Sequence, residues 1–483
     1  MFAPSRLCAF ALSLNMRCDT VIIGAGISGL VAAHRLKRFG RRVMVLERSP
    51  RPGGVIESIE VDGFLLERGP NSLRGTHDFL ELIDELGIRE ELVTADPRAP
   101  AYIFSRGELH AVPMGPLAAL STRLLSPAAK LRLLREPFLP PRQSAGEESI
   151  AAFVRRRFGS ETLDHLVSPF ISGVYAGNVE QLSAQASLLR LVEFEAQAGS
   201  ITRGAVRAAH ARRRDRASIP QRSLRPFRLS SFRGGLKTLP LALARDLGES
   251  LYLAAPARRI TLRQQSREAA DHEISIEIDG SVRTITAPTL IVATEAYAAA
   301  DLLKETAPAL AALIGDIPYN SLVSVPFGYR SEQLKRKLDG FGFLATRDSG
   351  LRILGSIWNS SLFPARSPAG FVCLTNLIGG ATDDKAVTLS DQELARIVHH
   401  DLQQVLGITG EPRHLPITRY AKAIPQYVLG HVDRVARIET AASKFDGFWL
   451  LGNYMRNVSL GECIRQANAT AGEVEGALVR EHT

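Results

Sequence analysis

A glycine-rich turn near the amino terminus constrains the fold more than any other stretch. Gly24, Gly26 and Gly29 form a G-x-G-x-x-G pattern. An apolar run at 21–23 precedes it, helically spaced apolar residues follow, and a second apolar run ends at Glu47. This order predicts a strand, a tight turn, a helix and a parallel strand, with the turn and the helix N-terminus facing a pyrophosphate. Glu47 is placed to accept hydrogen bonds from an adenosine ribose. The stretch therefore predicts dinucleotide binding and leaves FAD and NAD both open.

The size and composition indicate a soluble protein of two or three domains. The chain has 483 residues, of which 45% are hydrophobic and 23% charged. No run approaches the ~18 consecutive apolar residues of a transmembrane helix. The scattered cysteines (Cys8, Cys18, Cys373 and Cys463) have no metal-binding spacing. They indicate reduced thiols in a cytoplasmic protein and predict no metal site.

The N-terminal residues and an arginine-rich segment bear on where the protein is located. Residues 1–15 lack the long apolar region and cleavage site of a signal peptide, so we expect a loose tail or an over-extended start before Met16. The net charge is +9, and arginines crowd the segment 203–228. That segment is either a solvated loop or a surface for an anionic membrane or an acidic substrate. Nucleic acid is disfavoured as a partner because no aromatic residues accompany the arginines.

The rest of the chain predicts a mixed architecture. Gly53 and Gly54 let the backbone pass close to a ligand, and a hairpin follows them. Residues 116–200 have mainly helical patterning, with helices expected at 150–158 and 161–167, and predict a separate lobe. Residues 299–440 mix strands, expected at 323–327 and 371–378, with a helix at 391–406, which is typical of an α+β domain. A strand at 448–451 and a helix at 461–478 end the chain.

The order of a dinucleotide fold, an R-x-G-G segment and a hairpin resembles the FAD-dependent amine oxidase superfamily, and so implies FAD rather than NAD. Within that superfamily the chain resembles the protoporphyrinogen oxidases, from Asp19 to about Val479. The segments that carry the resemblance are 67–72 (ERGPNS), 169–177 (PFISGVYAG), 233–240 (RGGLKTLP), 360–364 (SSLFP), 424–427 (IPQY) with Gly430-His431, and 452–454 (GNY).

The resemblance implies an α/β fold with three parts. A Rossmann-type FAD-binding domain would comprise residues 17–97, 229–298 and 445–483. An α+β substrate-binding domain would comprise 98–115 and 299–444. A helical, membrane-associating lobe would comprise 116–228.

The resemblance also assigns cofactor-binding residues. They are Gly24, Gly26, Gly29, Glu47, Arg48, Gly53, Gly54, Gly69, Pro70, Asn71, Ser72, Arg259, Gly452, Val458, Ser459 and Leu460. In such enzymes the N-terminus of the last helix points at the flavin edge where negative charge gathers on reduction. A helix dipole stabilises such a charge by roughly 0.3–2 kcal/mol.

On the substrate side the resemblance implies four residues. Gly173 matches a glycine whose backbone lies against the substrate ring, which makes it the candidate catalytic position. Leu344 and Phe363 match apolar pocket walls. Relatives have an arginine, paired with a substrate propionate, where this chain has Ala101, so Arg98 is the candidate replacement.

The implied activity is the six-electron oxidation of protoporphyrinogen IX to protoporphyrin IX in haem biosynthesis. In the family O2 accepts the electrons and H2O2 forms. The expected partners are the tetrapyrrole, O2 and a membrane surface, with no nucleic acid. The sequence leaves open whether the protein forms a homodimer. The expected location is the cytoplasm, at the inner face of the cell membrane.

Other functions stay open at this point. The missing arginine leaves coproporphyrinogen III as an alternative substrate. A flavin amine oxidase or desaturase is a second alternative, although residues 420–431 contain no cysteine for covalent flavin and Trp358 and Trp449 are the only tryptophans. A non-catalytic carrier on the same fold, as in relatives that escort prenylated proteins, is a third.

Overall fold

The computed structural model describes residues 15–143, 146–216, 228–264, 271–278 and 280–481. Most of the predicted tail at 1–15, and Arg222 and Arg225 of the basic segment, lie outside these residues. The helices are α1 (Ile27–Arg38), α2 (His77–Glu85), α3 (Pro116–Ser121), α4 (Pro127–Arg135), α5 (Ile150–Phe158), α6 (Ser160–Thr162), α7 (Ser168–Tyr175), α8 (Ala184–Ser187), α9 (Leu189–Ala198), α10 (Ile201–Arg216), α11 (Thr238–Leu247), α12 (Ala296–Leu303), α13 (Pro308–Gly315), α14 (Asn359–Leu362), α15 (Asp391–Leu406), α16 (His431–Ala442) and α17 (Leu460–Glu481).

The strands form several sheets. They are β1 (Asn15–Arg17), β2 (Thr20–Ile23), β3 (Val43–Leu46), β4 (Ser58–Val61), β5 (Phe64–Glu67), β6 (Leu73–Arg74), β7 (Leu92–Thr94), β8 (Ala101–Ser105), β9 (Glu108–Ala111), β10 (Leu229–Phe232), β11 (Leu251–Tyr252), β12 (Ala257–Thr261), β13 (His272–Ile278), β14 (Ser281–Ala287), β15 (Thr289–Val292), β16 (Tyr319–Arg330), β17 (Gly342–Ala345), β18 (Ile353–Ile357), β19 (Phe371–Gly379), β20 (Arg413–His414), β21 (Thr418–Pro425) and β22 (Phe448–Leu450).

A parallel sheet in the order β11-β3-β2-β15-β22 holds the glycine-rich turn. Helices α1, α11 and α17 pack on the face that carries Ile22 and Val45. Strands β12–β14 and helices α12 and α13 cover the face that carries Val21 and Leu290. Because both faces are covered, the central strands are continuous apolar runs, as in doubly wound sheets. The predicted α/β, Rossmann-type fold is confirmed.

A second, largely antiparallel sheet runs in the order β20-β16-β19-β18-β17-β8-β9, with β21 also paired to β16. Helix α15 packs on one face through Leu394, Val398 and Leu402, against residues such as Val325 and Leu374. The opposite face carries Leu344, which pairs with Gly355 of β18. Smaller sheets are β1-β14-β13-β12, β6-β10-β7 and the predicted β4-β5 hairpin.

A helical stretch from α3 to α10 separates β9 from β10. The helix expected at 161–167 begins as α6 but widens to a π-helix at Leu163–Val167, directly before α7. Pro169 has no N–H to bond the carbonyl of His165 in an α-helical register, which accounts for the change of helix type. The division of the chain into three domains at the residues given above stays a prediction.

A buried ion pair holds the helical stretch together. The side chains of Glu136 and Arg157 are both fully buried and are hydrogen-bonded to each other. Glu136 also accepts hydrogen bonds from the Ser200 hydroxyl at 2.8 Å and from the Thr202 N–H at 3.0 Å. Burial raises the pKa of Glu136, but the hydrogen bonds from Thr202 and Arg157 outweigh it and lower the pKa to about 2. The carboxylate is therefore ionised and has bonding partners on both oxygens.

We expect Glu136→Gln to lower the free energy of unfolding by about 3–5 kcal/mol, because it leaves the Arg157 charge buried without a counter-charge. Urea denaturation at pH 7 measures this change. The pKa of Glu136 is lower in the folded protein than its usual value of 4.5, so its ionised carboxylate stabilises the fold above that pH. The difference in unfolding free energy between wild type and Glu136→Gln should therefore shrink as the pH falls from 4.5 towards about 2.

The matched control is Glu180→Gln. Glu180 pairs with Arg155 at 2.5 Å in the same part of the chain, but both side chains are nearly half exposed. Its loss should cost less than about 1 kcal/mol. Equal effects of the two substitutions would contradict the role given to the buried pair.

Candidate cofactor and substrate site

The turn between β2 and α1 is packed so tightly that two of its positions need glycine. Gly24 has a φ of +105°, and a Cβ there would lie 2.8 Å from the Ala293 carbonyl oxygen. A Cβ on Gly29 would lie 2.0 Å from the Gly24 carbonyl oxygen. Gly26 differs, because a Cβ on it would meet no described atom within 4 Å. The open side of Gly26, at the N-cap of α1, forms a cradle that fits a pyrophosphate.

The loop after β3 closes the cradle from the other side. The Gly53 N–H donates to the Ala25 carbonyl at 2.8 Å. A Cβ on Gly54 would lie 3.3 Å from Gly26 Cα. The two predicted glycines of this loop therefore lie against the turn, and their lack of side chains keeps the cradle open.

Arg51, which the sequence analysis did not single out, anchors this loop. Its guanidinium donates to the Gly54 carbonyl at 2.9 Å and to the Ile56 carbonyl at 3.2 Å. Arg51 is the arginine of the R-x-G-G pattern, and that pattern was the signal that could have identified it. Arg48, which was predicted instead, is mostly exposed and lies 3.9 Å from Glu295.

Glu47 ends β3 and is almost fully buried. Its carboxylate accepts hydrogen bonds from the Ala25 N–H at 2.7 Å and from the Ser49 N–H at 2.8 Å. These bonds fix the acid beside the turn, where it can meet the ribose of a dinucleotide.

The half-buried segment at 69–72 follows β5 and lies against the loop after β3. A Cβ on Gly69 would lie 2.0 Å from the Val55 carbonyl oxygen, so Gly69 also needs to be glycine. The Asn71 amide oxygen accepts a hydrogen bond from Asn359 Nδ2 at 2.8 Å. Asn359 is buried, and its own amide oxygen has no partner among the described residues. Pro70 and Ser72 flank this contact, which joins the loop to α14.

The N-terminus of α17 lies beside the N-terminus of α1. Cys463, in the first turn of α17, packs in the same apolar cluster as Ile27 and Leu30 of α1, and burial raises the pKa of its thiol to about 11. The predicted residues Val458, Ser459 and Leu460 lead into this helix. The Ser459 carbonyl accepts from the Cys463 N–H at 3.0 Å. Two helix N-termini with their positive dipole ends therefore meet at one place.

Gly452 and Arg259, which were also predicted to bind the cofactor, lie in different parts of the structure. A Cβ on Gly452 would lie 2.5 Å from the Tyr454 ring and 3.4 Å from the Thr294 carbonyl oxygen, which follows β15. Arg259 lies on β12, and its exposed guanidinium pairs with Glu305 at 3.2 Å. The structure therefore brings Gly452 next to the end of β15, and directs the Arg259 side chain to a surface ion pair.

Gly173 and Leu344 lie in contact. A Cβ on Gly173 would come within 2.5 Å of Leu344 Cδ2, so α7 rests on β17 through its bare glycine backbone. Leu344 pairs with Ile103 of β8 and Gly355 of β18 on that face of the sheet. This face offers apolar side chains and flat backbone to a ligand.

Phe363 and Arg98 are not part of this contact. Phe363 is buried in a separate apolar cluster with Ala95 and Leu362. Arg98 is exposed, and its guanidinium has no hydrogen bond or ion pair to another described residue. Their contact with a ligand stays a prediction.

Known proteins resemble this chain over nearly its whole length. The sequence model of the family described as flavin-containing amine oxidoreductase matches residues 27–475. Chloroplastic protoporphyrinogen oxidase from Nicotiana tabacum is 33% identical over 480 residues, covering 96% of this chain and 86% of the tobacco protein. Coproporphyrinogen III oxidase from Bacillus subtilis (strain 168) is 29% identical over 470 residues, covering 94% and 97% of the two chains.

A solved structure is similar over nearly the whole chain. It is a protein from Exiguobacterium sp. 255-15 that carries the provisional name protoporphyrinogen oxidase. The TM-score is 0.75 at 26% identity, and the alignment covers 95% of this chain and 98% of the other.

We expect Gly26→Ala to weaken FAD binding at least tenfold without unfolding the protein. The new methyl group would occupy the cradle but contact no described atom within 4 Å, and the φ of −69° at this position suits alanine. Titration of FAD into the apoprotein and thermal unfolding measure the two effects.

Two other glycines serve as comparisons for this experiment. Gly29→Ala should abolish both FAD binding and folding, because its Cβ would overlap the Gly24 carbonyl. Gly472→Ala, on the open side of α17, should change neither property. A Gly26→Ala protein with wild-type FAD affinity would show that the pyrophosphate lies elsewhere.

Proposed function

This chain belongs to the flavin-containing amine oxidoreductase family, and we propose that it oxidises porphyrinogens to porphyrins. It is an FAD-dependent oxidoreductase. The reaction we propose is the conversion of protoporphyrinogen IX to protoporphyrin IX, with O2 as electron acceptor, in haem biosynthesis. The observation that carries this proposal is the 33% identity to a protoporphyrinogen oxidase across 96% of the chain.

The chain's own residues supply the binding and orientation that this chemistry needs. Bound FAD supplies a two-electron acceptor for each oxidation step. The turn at Gly26 and the loop at Gly54 would hold its phosphates. The N-terminus of α17 favours negative charge near it, by roughly 0.3–2 kcal/mol. The Gly173–Leu344 contact offers an apolar wall that excludes water from the bridging carbons of a large macrocycle.

Coproporphyrinogen III is the second candidate substrate. Ala101 stands where the resemblance implies a propionate-binding arginine, and Arg98 is exposed rather than directed at the Gly173–Leu344 contact. The Bacillus subtilis relative, which is named for this substrate, matches over 97% of its length. Both observations support testing the two porphyrinogens side by side.

The proposal is tested by incubating the flavin-loaded protein with protoporphyrinogen IX, coproporphyrinogen III and putrescine in separate reactions. Porphyrin fluorescence and peroxide are followed together. We expect fluorescence to rise with protoporphyrinogen IX and three H2O2 to form per porphyrin, because six electrons leave the ring in two-electron steps. A higher kcat/KM for coproporphyrinogen III would favour the second candidate. Peroxide from putrescine alone would overturn the proposal.

Gly173→Ala tests the substrate wall in the same assay. The new methyl group would displace Leu344, so kcat/KM for the porphyrinogen should fall at least tenfold while the FAD content stays unchanged. Gly315→Ala, also in a helix, places its Cβ at an ordinary 3.5 Å from Ala300 and should leave kcat/KM unchanged.

We also infer that the protein binds the inner face of the cell membrane peripherally from the cytoplasm. Among the described helices, none combines the length and apolarity needed to cross a bilayer. Exposed apolar side chains instead gather around α3 and α4, and we call Met114, Leu117, Leu131, Leu134 and Phe138 the apolar lobe surface. Met114 and Leu117 are 86% and 83% exposed. Arg132 and Arg135 lie exposed among them, which suits anionic headgroups.

Liposome flotation tests this inference. The wild type should float with anionic vesicles at low salt and less so at 0.5 M salt, since salt screens headgroup attraction. Replacing both Leu117 and Phe138 by serine should reduce the floating fraction at least fivefold. Val282→Ser, at an apolar position on β14 that is 67% exposed, is the control and should float like wild type. Wild-type protein that stays at the bottom at low salt would refute membrane binding.

A further inference from the structure

A dipeptide that the proposed function does not use connects the two sides of the site. Gln426 and Tyr427 follow β21 and are both buried. We propose that they form a positioning element, which fixes α7 relative to the loop 452–459 and thereby seats the flavin end of FAD. This inference rests on the proposed function, because it concerns the same site.

Gln426 holds the C-terminal end of α7. Its Nε2 donates to the Tyr175 carbonyl at 2.9 Å. Asn320 Nδ2 donates to the same carbonyl at 2.8 Å and to the Ala176 carbonyl at 2.7 Å. These bonds bind the helix-end carbonyls of α7, so the backbone around Gly173 has a fixed distance from β21.

Tyr427 and His431 hold the loop 452–459. The Tyr427 hydroxyl donates to the Asn453 carbonyl. The His431 ring stacks on Tyr427, with centroids 4.3 Å apart and an interplanar angle of 18°. His431 Nε2 lies 3.2 Å from the Met455 carbonyl oxygen. Burial lowers the pKa of His431 to about 4, so the imidazole is neutral at pH 7 and donates through Nε2–H.

The held loop leads directly to the cradle. Gly452 lies against Thr294 at the end of β15, and the loop runs from there into α17. Cys463 of α17 in turn packs against α1, in the apolar cluster that contains Ile27 and Leu30. A shift of Asn453 or Met455 would therefore move the N-terminus of α17 relative to the pyrophosphate cradle.

A second tyrosine–histidine pair provides a matched control. Tyr329 is 0% exposed, and its hydroxyl lies 2.9 Å from His399 Nδ1, with the two rings stacked. This pair joins β16 to α15 on the far face of the second sheet. It contacts neither α7 nor the loop 452–459, so a loss there reports on core stability alone.

The experiment compares Tyr427→Phe with Tyr329→Phe in the full-length chain. Each variant is stripped of FAD, titrated with FAD, and examined by visible absorption and thermal unfolding. Tyr427→Phe should weaken FAD binding about fivefold, as expected for one lost hydrogen bond, and shift the flavin absorption bands. Tyr329→Phe should lower the melting temperature with FAD affinity and bands unchanged. FAD affinity and bands of Tyr427→Phe within twofold of wild type would overturn the inference.

Two more variants separate the parts of the element. Gln426→Leu should lower kcat/KM for the porphyrinogen about tenfold and leave FAD affinity unchanged, because it releases α7 only. His431→Phe keeps a stacked ring but loses the bond to Met455, and it should reproduce the spectral shift even if Tyr427→Phe does not fold. A wild-type protein that binds no FAD would refute the proposed function as well. If the wild-type protein oxidises the porphyrinogen, but His431→Phe and Tyr427→Phe keep its FAD affinity and absorption bands, this inference alone is refuted.

Discussion

The structure depends on how closely the glycine-rich turn approaches its neighbours. The Gly24 carbonyl lies where a side chain of Gly29 would be, and the Ala293 carbonyl lies where a side chain of Gly24 would be. This packing lets α1 begin at the end of β2, next to β15, so that a helix N-terminus and several strand ends meet. Of the three glycines in the turn, Gly26 alone has no described atom within 4 Å of where a Cβ would lie, and we propose this open side as the place for the cofactor phosphates.

Much of the fold could be predicted from local pattern. The buried strands β2, β3 and β15 are short apolar runs, and α15 has a clear amphipathic period. The local sequence pattern did not predict the length or type of an element where tertiary contacts determine it. β16 is longer than the predicted 323–327, because pairing with β19, β20 and β21 extends it through polar residues such as Asn320. The π-helix before α7 likewise depends on Pro169, beyond the end of the predicted helix.

The candidate site could be predicted where backbone geometry dictates the residue type. Gly24, Gly29 and Gly69 need to be glycine because a carbonyl oxygen occupies the position of a side chain. Side chains that act through distant partners left weaker signals. Asn359 meets Asn71 across 288 positions of sequence, and Tyr427 meets Asn453 through a hydroxyl that no local pattern predicts.

The cradle at Gly26 has a consequence for how long the protein persists in a cell. The open side of Gly26 faces no described atom within 4 Å, so a nucleotide that binds there adds contacts that the free protein lacks. By mass action, free FAD at 100 times its dissociation constant would stabilise the folded chain by about 2.7 kcal/mol. The abundance of this protein would then follow the supply of riboflavin, even where its transcription stays constant.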